Sequence, residues 1–349
     1  MSESTRMRAE LSETPERLAD QWAANTDRLD ALVADLAGYD SAPWWTTARG
    51  SSAHAAAFMA AIAGRFANRV VGEMTPSLFT VYGRTPNLAG QVLIAISQSG
   101  AGEDINAVVA AARKRGALTV GVTNDTASPL AAGAAHTLDL AMGPEKAVAA
   151  TKTYLGTLAL TARLVAGVAG DAGLHAALEA LPATLAARRD AVPPLPADAL
   201  AAFKTAGFVL GRGVGLGVAR EIALKFKEVC VTPAESFSTA EFIHGPLTLV
   251  GPGTPVLIVC LDDATRVGVI ETAERLAGLG AAVTLIGPDL PDTAGGPGCR
   301  VVSRQATGHV VTDAVALAFD VYGALEARAV ALGYDPDRPP NVQKVTSTY

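Results

Sequence analysis

Three ionisable residues at helical spacing stand out in the second half of the chain. Glu221, Lys225 and Glu228 are four and seven residues apart, so they share one helical face, whereas Lys227 points elsewhere. Two carboxylates beside an ammonium suit proton transfer at carbon, with the cation stabilising the charge that develops. A solvated stripe of ion pairs is the alternative interpretation of this spacing. The turn at 211–213 precedes this helix and follows a predicted strand, which is where active sites of parallel sheets form. This position favours a catalytic face over a solvated stripe.

Two turns rich in serine and glycine predict an anion site in the first half. Ser97-Gln98-Ser99-Gly100 follows an apolar strand and opens a helix, and Gly50-Ser51-Ser52 follows the neighbouring strand. A helix N-terminus offers free N–H groups and a positive dipole end, the serines add hydroxyl donors, and glycine lets the backbone approach. Serine-rich helix caps are the alternative; two such turns at adjacent strand ends favour a phosphate site.

His244 lies in the segment Glu241-Phe242-Ile243-His244-Gly245-Pro246, between apolar residues and a Gly-Pro pair. This environment is typical of a hydrogen-bonded core histidine. Histidine is also the side chain best suited to acid–base chemistry near neutral pH. The sequence leaves both interpretations open.

Composition excludes several classes of protein. Of the 349 residues, 50% are hydrophobic and 18% charged, which predicts a compact chain with room for two domains. The net charge of −6 argues against a general nucleic-acid surface and leaves the capture of an anion to local groups. We find neither an apolar run of about 18 residues nor a signal-peptide core, so we expect a cytoplasmic protein without membrane contact.

The three cysteines, Cys230, Cys260 and Cys299, are widely spaced and form no CxxC pair. They are poor material for a disulfide framework or a zinc site, so we expect buried free thiols. The sequence predicts no metal and no cofactor.

Near-continuous apolar strands alternate with alanine-rich helical stretches, which predicts an α/β fold with parallel sheets covered on both faces. A leading helix is predicted at 8–22, with Ser12 a possible cap. Strands are predicted at 44–48, 92–97, 118–123, 137–140, 207–211, 255–261, 283–287 and 300–303.

The two halves repeat at a constant offset. The turn at 49–50 matches that at 212–213 with an offset of 163, and the turn at 97–100 matches that at 261–264 with an offset of 164. We expect two copies of one doubly wound domain that arose by duplication, joined by a proline-rich linker at 191–196. The second copy carries Leu261-Asp262-Asp263-Ala264, an acidic turn that would repel a phosphate. One phosphate site per chain follows.

The chain resembles the isomerase half of glutamine–fructose-6-phosphate aminotransferase, a tandem pair of sugar isomerase (SIS) domains. The resemblance covers nearly the whole chain. It implies two flavodoxin-like doubly wound domains at 29–190 and 197–333, after a helical segment at 1–28 and before a tail at 334–349 that covers the active site. The matching segments are MRAELSETPE (7–16), SQSG (97–100), VAATK (148–152), ALKFKE (223–228), AESF (234–237), EFIHGPL (241–247) and DRPPNVQK (337–344).

The resemblance implies roles for these residues. The sugar phosphate would be held by Ser52, Ser97, Gln98, Ser99 and Gly102. Other substrate contacts would come from Gly50, Ser51, Ala150 and Thr151. Gly102 replaces a small hydroxyl residue and Ala150 replaces a serine, so the contacts with the phosphate and with the sugar hydroxyls differ from the family pattern.

The implied chemistry is a proton transfer between C1 and C2 of an open-chain sugar by Glu228. Lys225 would stabilise the charge on oxygen, with Glu221 on the same catalytic face. His244 would assist ring opening, reaching in from the partner subunit of a homodimer whose active site is shared. Lys344 would contact the keto form and could make a Schiff base.

No glutaminase domain precedes Met7, and no nucleophilic cysteine stands at the N-terminus. We therefore expect a deaminase that converts a hexosamine 6-phosphate, such as glucosamine 6-phosphate, to the ketose phosphate and ammonia. A ketose/aldose phosphate isomerase and a sugar-phosphate deglycase are the enzymatic alternatives. A non-catalytic sugar-phosphate sensor is the alternative of another class, and it leaves the catalytic residue types unexplained. The epimer and the amine substituent stay open.

Overall fold

A computed structural model describes residues 4–191, 195 and 199–344. Positions 192–194 and 196 of the predicted linker lie outside the described residues. The strands are β1 Trp44–Ala48, β2 Val71–Glu73, β3 Val92–Ile96, β4 Leu118–Thr123, β5 His136–Asp139, β6 Gly207–Gly211, β7 Ala234–Ser238, β8 Pro255–Val259, β9 Ala282–Pro288 and β10 Arg300–Arg304.

Helices flank the strands, and short 3-10 turns occur at Ala37–Tyr39 and Pro246–Leu249. The helices are α1 Arg6–Ser12, α2 Thr14–Leu36, α3 Gly50–Ala67, α4 Ser77–Thr80, α5 Glu103–Lys114, α6 Pro129–Gly133, α7 Lys152–Ala169, α8 Ala172–Ala191, α9 Gly215–Val229, α10 Thr239–Phe242, α11 Arg266–Gly278 and α12 Val310–Ala331. Among the described residues, we find no helix whose length and hydropathy would let it span a membrane.

The described residues divide into two compact units. The first unit comprises Thr14–Glu145 and Lys152–Pro182. The second unit comprises the described residues up to Glu13, the segment Lys146–Thr151, and the described residues from Ala183 to Lys344. The predicted domain boundaries after 28, 190 and 333 remain predictions.

Within the described residues, the first unit contains a parallel sheet of five strands in the order β2-β1-β3-β4-β5. All five residues of the central strand β3 are buried, which explains its uninterrupted apolar sequence. Strands β1 and β3 pair in a register that sets Ala48 opposite Ile96. The turns that follow these two residues therefore leave the sheet side by side.

The second unit repeats this arrangement. Its sheet, in the part of the chain described, has the order β10-β9-β8-β6-β7, all parallel, which is the order of the first sheet with β6 in the place of β1. The turns after β1 and β6 carry glycines with nearly equal left-handed backbone angles, φ +53° at Gly50 and φ +54° at Gly213. The predicted fold class, two doubly wound α/β domains, is confirmed.

Three sequence expectations need correction. The predicted helix at 8–22 is two helices, α1 and α2, because the helical backbone is interrupted at Glu13. Ser12 is the last residue of α1, and its hydroxyl donates to the carbonyl of Arg8 (2.8 Å), so it does not cap the next helix. The strands β2 and β7 were not predicted. Both lie at sheet edges and are only partly buried, so neither has a continuous apolar run.

The three cysteines are free thiols, as predicted. Cys230 and Cys260 are buried, while Cys299 is half-buried. Burial raises the pKa of the Cys230 thiol to about 12 and that of the other two thiols to about 11. All three are therefore protonated and unreactive near neutral pH.

Candidate active site

The serine turn of the first unit, residues 97–102, lies at the carboxyl edge of the sheet. The hydroxyl oxygen of Ser97 accepts a hydrogen bond from the Gly100 N–H (3.2 Å), and that of Ser99 accepts one from the Ala101 N–H (3.3 Å). A hydroxyl that accepts through its oxygen still carries a hydrogen to donate. Both hydroxyls are thus held in place by the backbone and can donate to an anion.

Gly100 fixes the shape of this turn. Its φ is +61°, and a Cβ atom there would lie 2.1 Å from Ser128 Oγ and 2.8 Å from Thr123 Oγ1. The Gly100 carbonyl accepts hydrogen bonds from the Asn106 side chain and the Leu130 N–H, each 3.1 Å long. Only glycine fits both the backbone angle and the space.

An ion pair joins the two predicted phosphate turns. Arg49 follows β1 and binds the Asp104 carboxylate in α5 through Nε (3.0 Å) and Nη2 (2.9 Å). Asp104 is buried, whereas more than half of the Arg49 side chain is exposed. Both Arg49 nitrogens bind the same oxygen, Asp104 Oδ2, and this pair holds the start of α3, with Ser51 and Ser52, beside the serine turn, since β1 and β3 are neighbours.

The helices α3 and α5 both begin at this edge, and neither N-cap makes a side-chain hydrogen bond to the first turn. Their N-termini therefore add a positive dipole end to the serine hydroxyls. Gln98 and Gly102 are half-buried in the same turn. The turns that leave this edge of the sheet carry the predicted phosphate residues Ser52, Ser97, Gln98, Ser99 and Gly102 and the predicted substrate residues Gly50 and Ser51.

In the second unit, α9 carries the predicted ionic face. The ammonium of Lys225 lies 3.2 Å from Glu221 Oε1 and also forms an ion pair with Glu228 Oε2. Side chains of Lys225 and Glu221 are 1% exposed, while that of Glu228 is 22% exposed. Lys227 is exposed to solvent. A solvated stripe is therefore the wrong interpretation, since two of the three charges are buried.

The pairing keeps Lys225 charged. Burial alone lowers the pKa of this ammonium, but the charges and hydrogen bonds of Glu221 and Glu228 outweigh burial and raise the pKa above its usual 10.5. Lys225 is therefore a fixed cation at neutral pH and cannot be a free-amine nucleophile there. Glu228 is the member of this trio that solvent or a ligand can reach.

Tyr322 is a further member of the ionic cluster that sequence reasoning missed. Its hydroxyl, on the neighbouring helix α12, donates to Glu221 Oε1 (2.8 Å), the same oxygen that faces Lys225. Tyr322 is 1% exposed. It lies 101 residues from Glu221 in an apolar helix, so no local spacing could have indicated the contact.

His244 is exposed, so it is not a core histidine. It lies after α10, beside a shallow pocket of about 400 Å³ whose lining also includes Leu247, Arg275 and Leu279. No described residue of α9 lines this pocket. His244 and the ionic face therefore do not share this pocket.

Lys344 is half-buried, and its ammonium donates to the carbonyl of Ala147 (2.7 Å). Ala147 belongs to the segment 146–151, which also carries the predicted substrate residues Ala150, half-buried, and Thr151, fully buried. Lys344, predicted to be catalytic, thus contacts the segment that carries the predicted substrate residues Ala150 and Thr151.

The matches with known proteins follow this organisation. A family model for the SIS domain matches residues 45–166 and 205–287, which include both predicted turns and all three residues of the ionic face. The chain belongs to the SIS domain family. In the part of the chain described, no cluster of histidine, cysteine, aspartate or glutamate could hold a metal ion.

Curated relatives of this SIS chain include the glutamine–fructose-6-phosphate aminotransferase (isomerizing) of Aeropyrum pernix. It is 37% identical over 283 residues, which cover 75% of this chain and 44% of the relative. The corresponding protein of Shouchella clausii is 31% identical and is covered to 43%. The chain therefore spans less than half the length of the curated relatives it matches.

Solved structures show the same likeness. A candidate phosphosugar isomerase from Silicibacter pomeroyi DSS-3 is 39% identical, with a TM-score of 0.88 over 96% of this SIS chain and 100% of that chain. The C-terminal domain of glucosamine-fructose-6-phosphate aminotransferase from Francisella tularensis has a TM-score of 0.84 at 21% identity, covering 97% of this chain and 99% of that one. The second likeness concerns the fold alone.

Proposed function

We propose that this SIS protein is an enzyme that rearranges C1 and C2 of a phosphorylated amino sugar, a hexosamine 6-phosphate. The observation that carries the proposal is the buried ammonium of Lys225 between Glu221 and Glu228. A buried ionic cluster is seldom the most stable way to fill a core. A chemical role explains why the helix keeps it.

The relatives support a sugar phosphate as the substrate. The 37% identical relative is named for an aminotransferase reaction on fructose 6-phosphate, and the 39% identical structure is described as a candidate phosphosugar isomerase. Amination of a ketose phosphate and loss of ammonia from a hexosamine phosphate move the same proton in opposite directions. One set of residues therefore suits both.

In the proposed reaction, Ser52, Ser97 and Ser99 bind the phosphate of the open-chain hexosamine. Glu228 removes the proton from C2, and the electron pair of that C–H bond forms a C1–C2 double bond as negative charge develops on the C1 oxygen. The Lys225 ammonium stabilises this charge. Glu228 returns the proton to C1 while the lone pair of the amine nitrogen forms a C2=N bond. A proton then passes from this iminium nitrogen to the C1 oxygen, which leaves a neutral imine at C2 and a hydroxyl at C1. Water then replaces the imine nitrogen, and ammonia leaves.

Other residues serve the steps around this transfer. Glu221 holds Lys225 in place. His244, exposed and of a residue type that exchanges protons near neutral pH, assists ring opening from the partner subunit of a homodimer. Lys344 contacts the keto form, while Ala150 and Thr151 line the sugar.

The decisive experiment is a panel of amino- and keto-hexose 6-phosphates, assayed for ammonia and for isomer formation in the wild type and in Glu228→Gln. Removal of the base should lower kcat by about 10²- to 10⁴-fold, while binding of the sugar phosphate survives. The matched control is Glu271→Gln, an exposed glutamate on α11. Unchanged turnover of Glu228→Gln would reject the assigned base.

A ketose/aldose phosphate isomerase is the second candidate. The likeness to the candidate phosphosugar isomerase over that chain's whole length favours it. The same panel separates an isomerase from a deaminase, since an isomerase forms a new sugar phosphate without releasing ammonia. A deglycase would instead release a substituted amine. Binding without turnover of any panel member would instead indicate a sensor.

A further inference from the structure

The N-terminal helix α1 has no role in the proposed reaction, yet it carries a buried carboxylate. Glu10 is 7% exposed. Its oxygens accept hydrogen bonds from two successive backbone N–H groups, those of Lys146 (2.5 Å) and Ala147 (3.1 Å). Hydrogen bonds to a charged acceptor are among the strongest in proteins. Glu10 therefore fixes the backbone at the start of the segment 146–151.

The C-terminal tail binds the same segment and the same helix. The carboxylate of Asp337 accepts hydrogen bonds from the N–H groups of Arg6 and Met7, both 2.8 Å. The backbone carbonyl of Asp337 accepts one from the Val148 N–H (3.4 Å). The first turn of α1, the tail and the segment 146–151 are thus joined at one point of the second unit.

Lys344 meets the next backbone group in this network. The peptide between Ala147 and Val148 donates through its N–H to Asp337 and accepts through its carbonyl from the Lys344 ammonium (2.7 Å). The preceding peptide N–H donates to Glu10. Hydrogen bonds in such a chain polarise and strengthen one another. The carbonyl that receives Lys344 is therefore placed by a carboxylate on α1.

We infer that Glu10 is a positioning residue, which fixes the Ala147 carbonyl as the docking point of Lys344 and so sets the place of the tail amine. Its catalytic meaning rests on the proposed function, which assigns Lys344, Ala150 and Thr151 to the substrate. Glu10 touches none of the reacting atoms in this scheme. It acts through the segment 146–151, which gives the buried glutamate of the seven-residue helix α1 a role.

A double-mutant cycle tests the catalytic part. Glu10→Gln keeps the shape but turns one acceptor oxygen into a donor that faces a backbone N–H. We expect kcat to fall about tenfold, within the range of coupling between residues that share a network. In a Lys344→Met background the same substitution should cost less than about twofold. Equal losses in both backgrounds would show that Glu10 acts on stability alone and would overturn the inference.

The labelling rate of Lys344 tests the docking without any substrate. Brief acetylation followed by mass spectrometry should show the Lys344 amine reacting several-fold faster in Glu10→Gln than in the wild type. Glu13→Gln, an exposed neighbour at the end of α1, is the matched control and should leave the rate unchanged. An unchanged rate in Glu10→Gln would refute the docking role, whatever the reaction catalysed.

Two further variants keep the outcomes distinct. If Glu10→Gln fails to fold, Asp337→Asn weakens the same network from the tail, and faster labelling of Lys344 is again expected. If Lys344→Met is fully active, the proposed role of Lys344 fails, while the labelling experiment still decides whether Glu10 positions it.

Discussion

The helices α3 and α9 occupy equivalent places in the two sheets, yet they bury opposite kinds of side chain. With the offset of 163 residues, Glu221 and Lys225 of α9 correspond to Phe58 and Ile62 of α3. Both residues of α3 are 0% exposed and belong to an ordinary apolar core. The same two positions of α9 hold a carboxylate and an ammonium, with equally little exposure.

This difference indicates that the second copy does not fill this buried position in the most stable way. An apolar pair fills a buried site at least as stably as an ion pair, since charges lose their hydration when buried. The first copy shows that this helix position accepts phenylalanine and isoleucine. The charges in α9 are therefore better explained by chemistry than by stability.

The turns after β3 and β8 show the reverse division. The turn of the first copy offers serine hydroxyls, whereas that of the second copy carries Asp262 and Asp263. Asp263 Oδ1 accepts from the Thr265 N–H (2.8 Å) and hydroxyl (2.6 Å), and Asp262 pairs with Arg266 (2.6 Å). Each copy thus carries only one of the two chemical features, the serine turn in the first copy and the ionic face in the second.

Replacing Glu221 and Lys225 with the first-copy residues, and removing the Tyr322 hydroxyl that would otherwise lose its partner, should have the largest effect. The triple variant Glu221→Phe, Lys225→Ile, Tyr322→Phe should lose at least about 10³-fold in kcat. Its free energy of unfolding should be unchanged or higher by about 1–4 kcal/mol, because a buried ionic network is replaced by apolar side chains. Turnover assays and urea unfolding measure the two effects.

The single variant Lys225→Met is the contrast, since it leaves two carboxylates without their cation and should cost about 3–5 kcal/mol. Lys227→Met on the same helix is the exposed control. A triple variant less stable than Lys225→Met would show that the charges do stabilise this copy.

Gly100→Ala should distort the serine turn, which only the first copy carries. The added Cβ meets Ser128 Oγ at 2.1 Å and the backbone angle is left-handed, so the serine turn must move. We expect KM for the sugar phosphate to rise about tenfold, the loss of one hydrogen bond to a charged group. Gly90→Ala is the control, because Gly90 has φ +69° but open space around it. Equal KM values would place the phosphate elsewhere.

Tyr322→Phe sharpens the comparison by removing a single hydrogen bond from the ionic cluster. Glu221 loses a donor in a buried site, which should cost about 1.5–3 kcal/mol of stability. Lys225 then shifts toward Glu221 and away from Glu228, so kcat should fall about tenfold with little change in KM. Steady-state kinetics check this, with Tyr334→Phe as the exposed control. A rise in KM alone would contradict it.

The smallest effect concerns alkaline pH. Because the pKa of Lys225 is raised above 10.5 in the folded protein, its contribution to stability is fully present below about pH 10.5 and is lost as pH rises through the folded value. Unfolding free energies of the wild type and the triple variant should therefore run parallel up to pH 10. Above pH 10 the unfolding free energy of the wild type should fall more steeply than that of the triple variant. Parallel curves at every pH would rule out the raised pKa.

The sequence predicted the parts of the fold that follow from continuous apolar runs. The bounds of β1, β4 and β6 agree with the predicted ones, because these strands are buried on both faces. The edge strands β2 and β7 were missed, since half-exposed strands lack such a run. The interruption at Glu13 was also missed, because the helical periodicity of the sequence continues on both sides of it.

The candidate site divides in the same way. The face formed by Glu221, Lys225 and Glu228 could be predicted, because its members lie within two turns of one helix. The contacts of Tyr322 and Glu10 could not, since each joins residues more than 100 positions apart through the tertiary fold. The exposure of His244 likewise depends on how the segment after α10 packs.

The burial of Lys225 has a consequence for the response of this protein to salt. Mobile ions screen charges that water surrounds, but they cannot approach an ammonium that is sealed inside the protein. Capture of an anion near the exposed Arg49 should weaken as the ionic strength rises. The field that Lys225 exerts should stay nearly constant, so salt would impair the arrival of the sugar phosphate far more than its conversion.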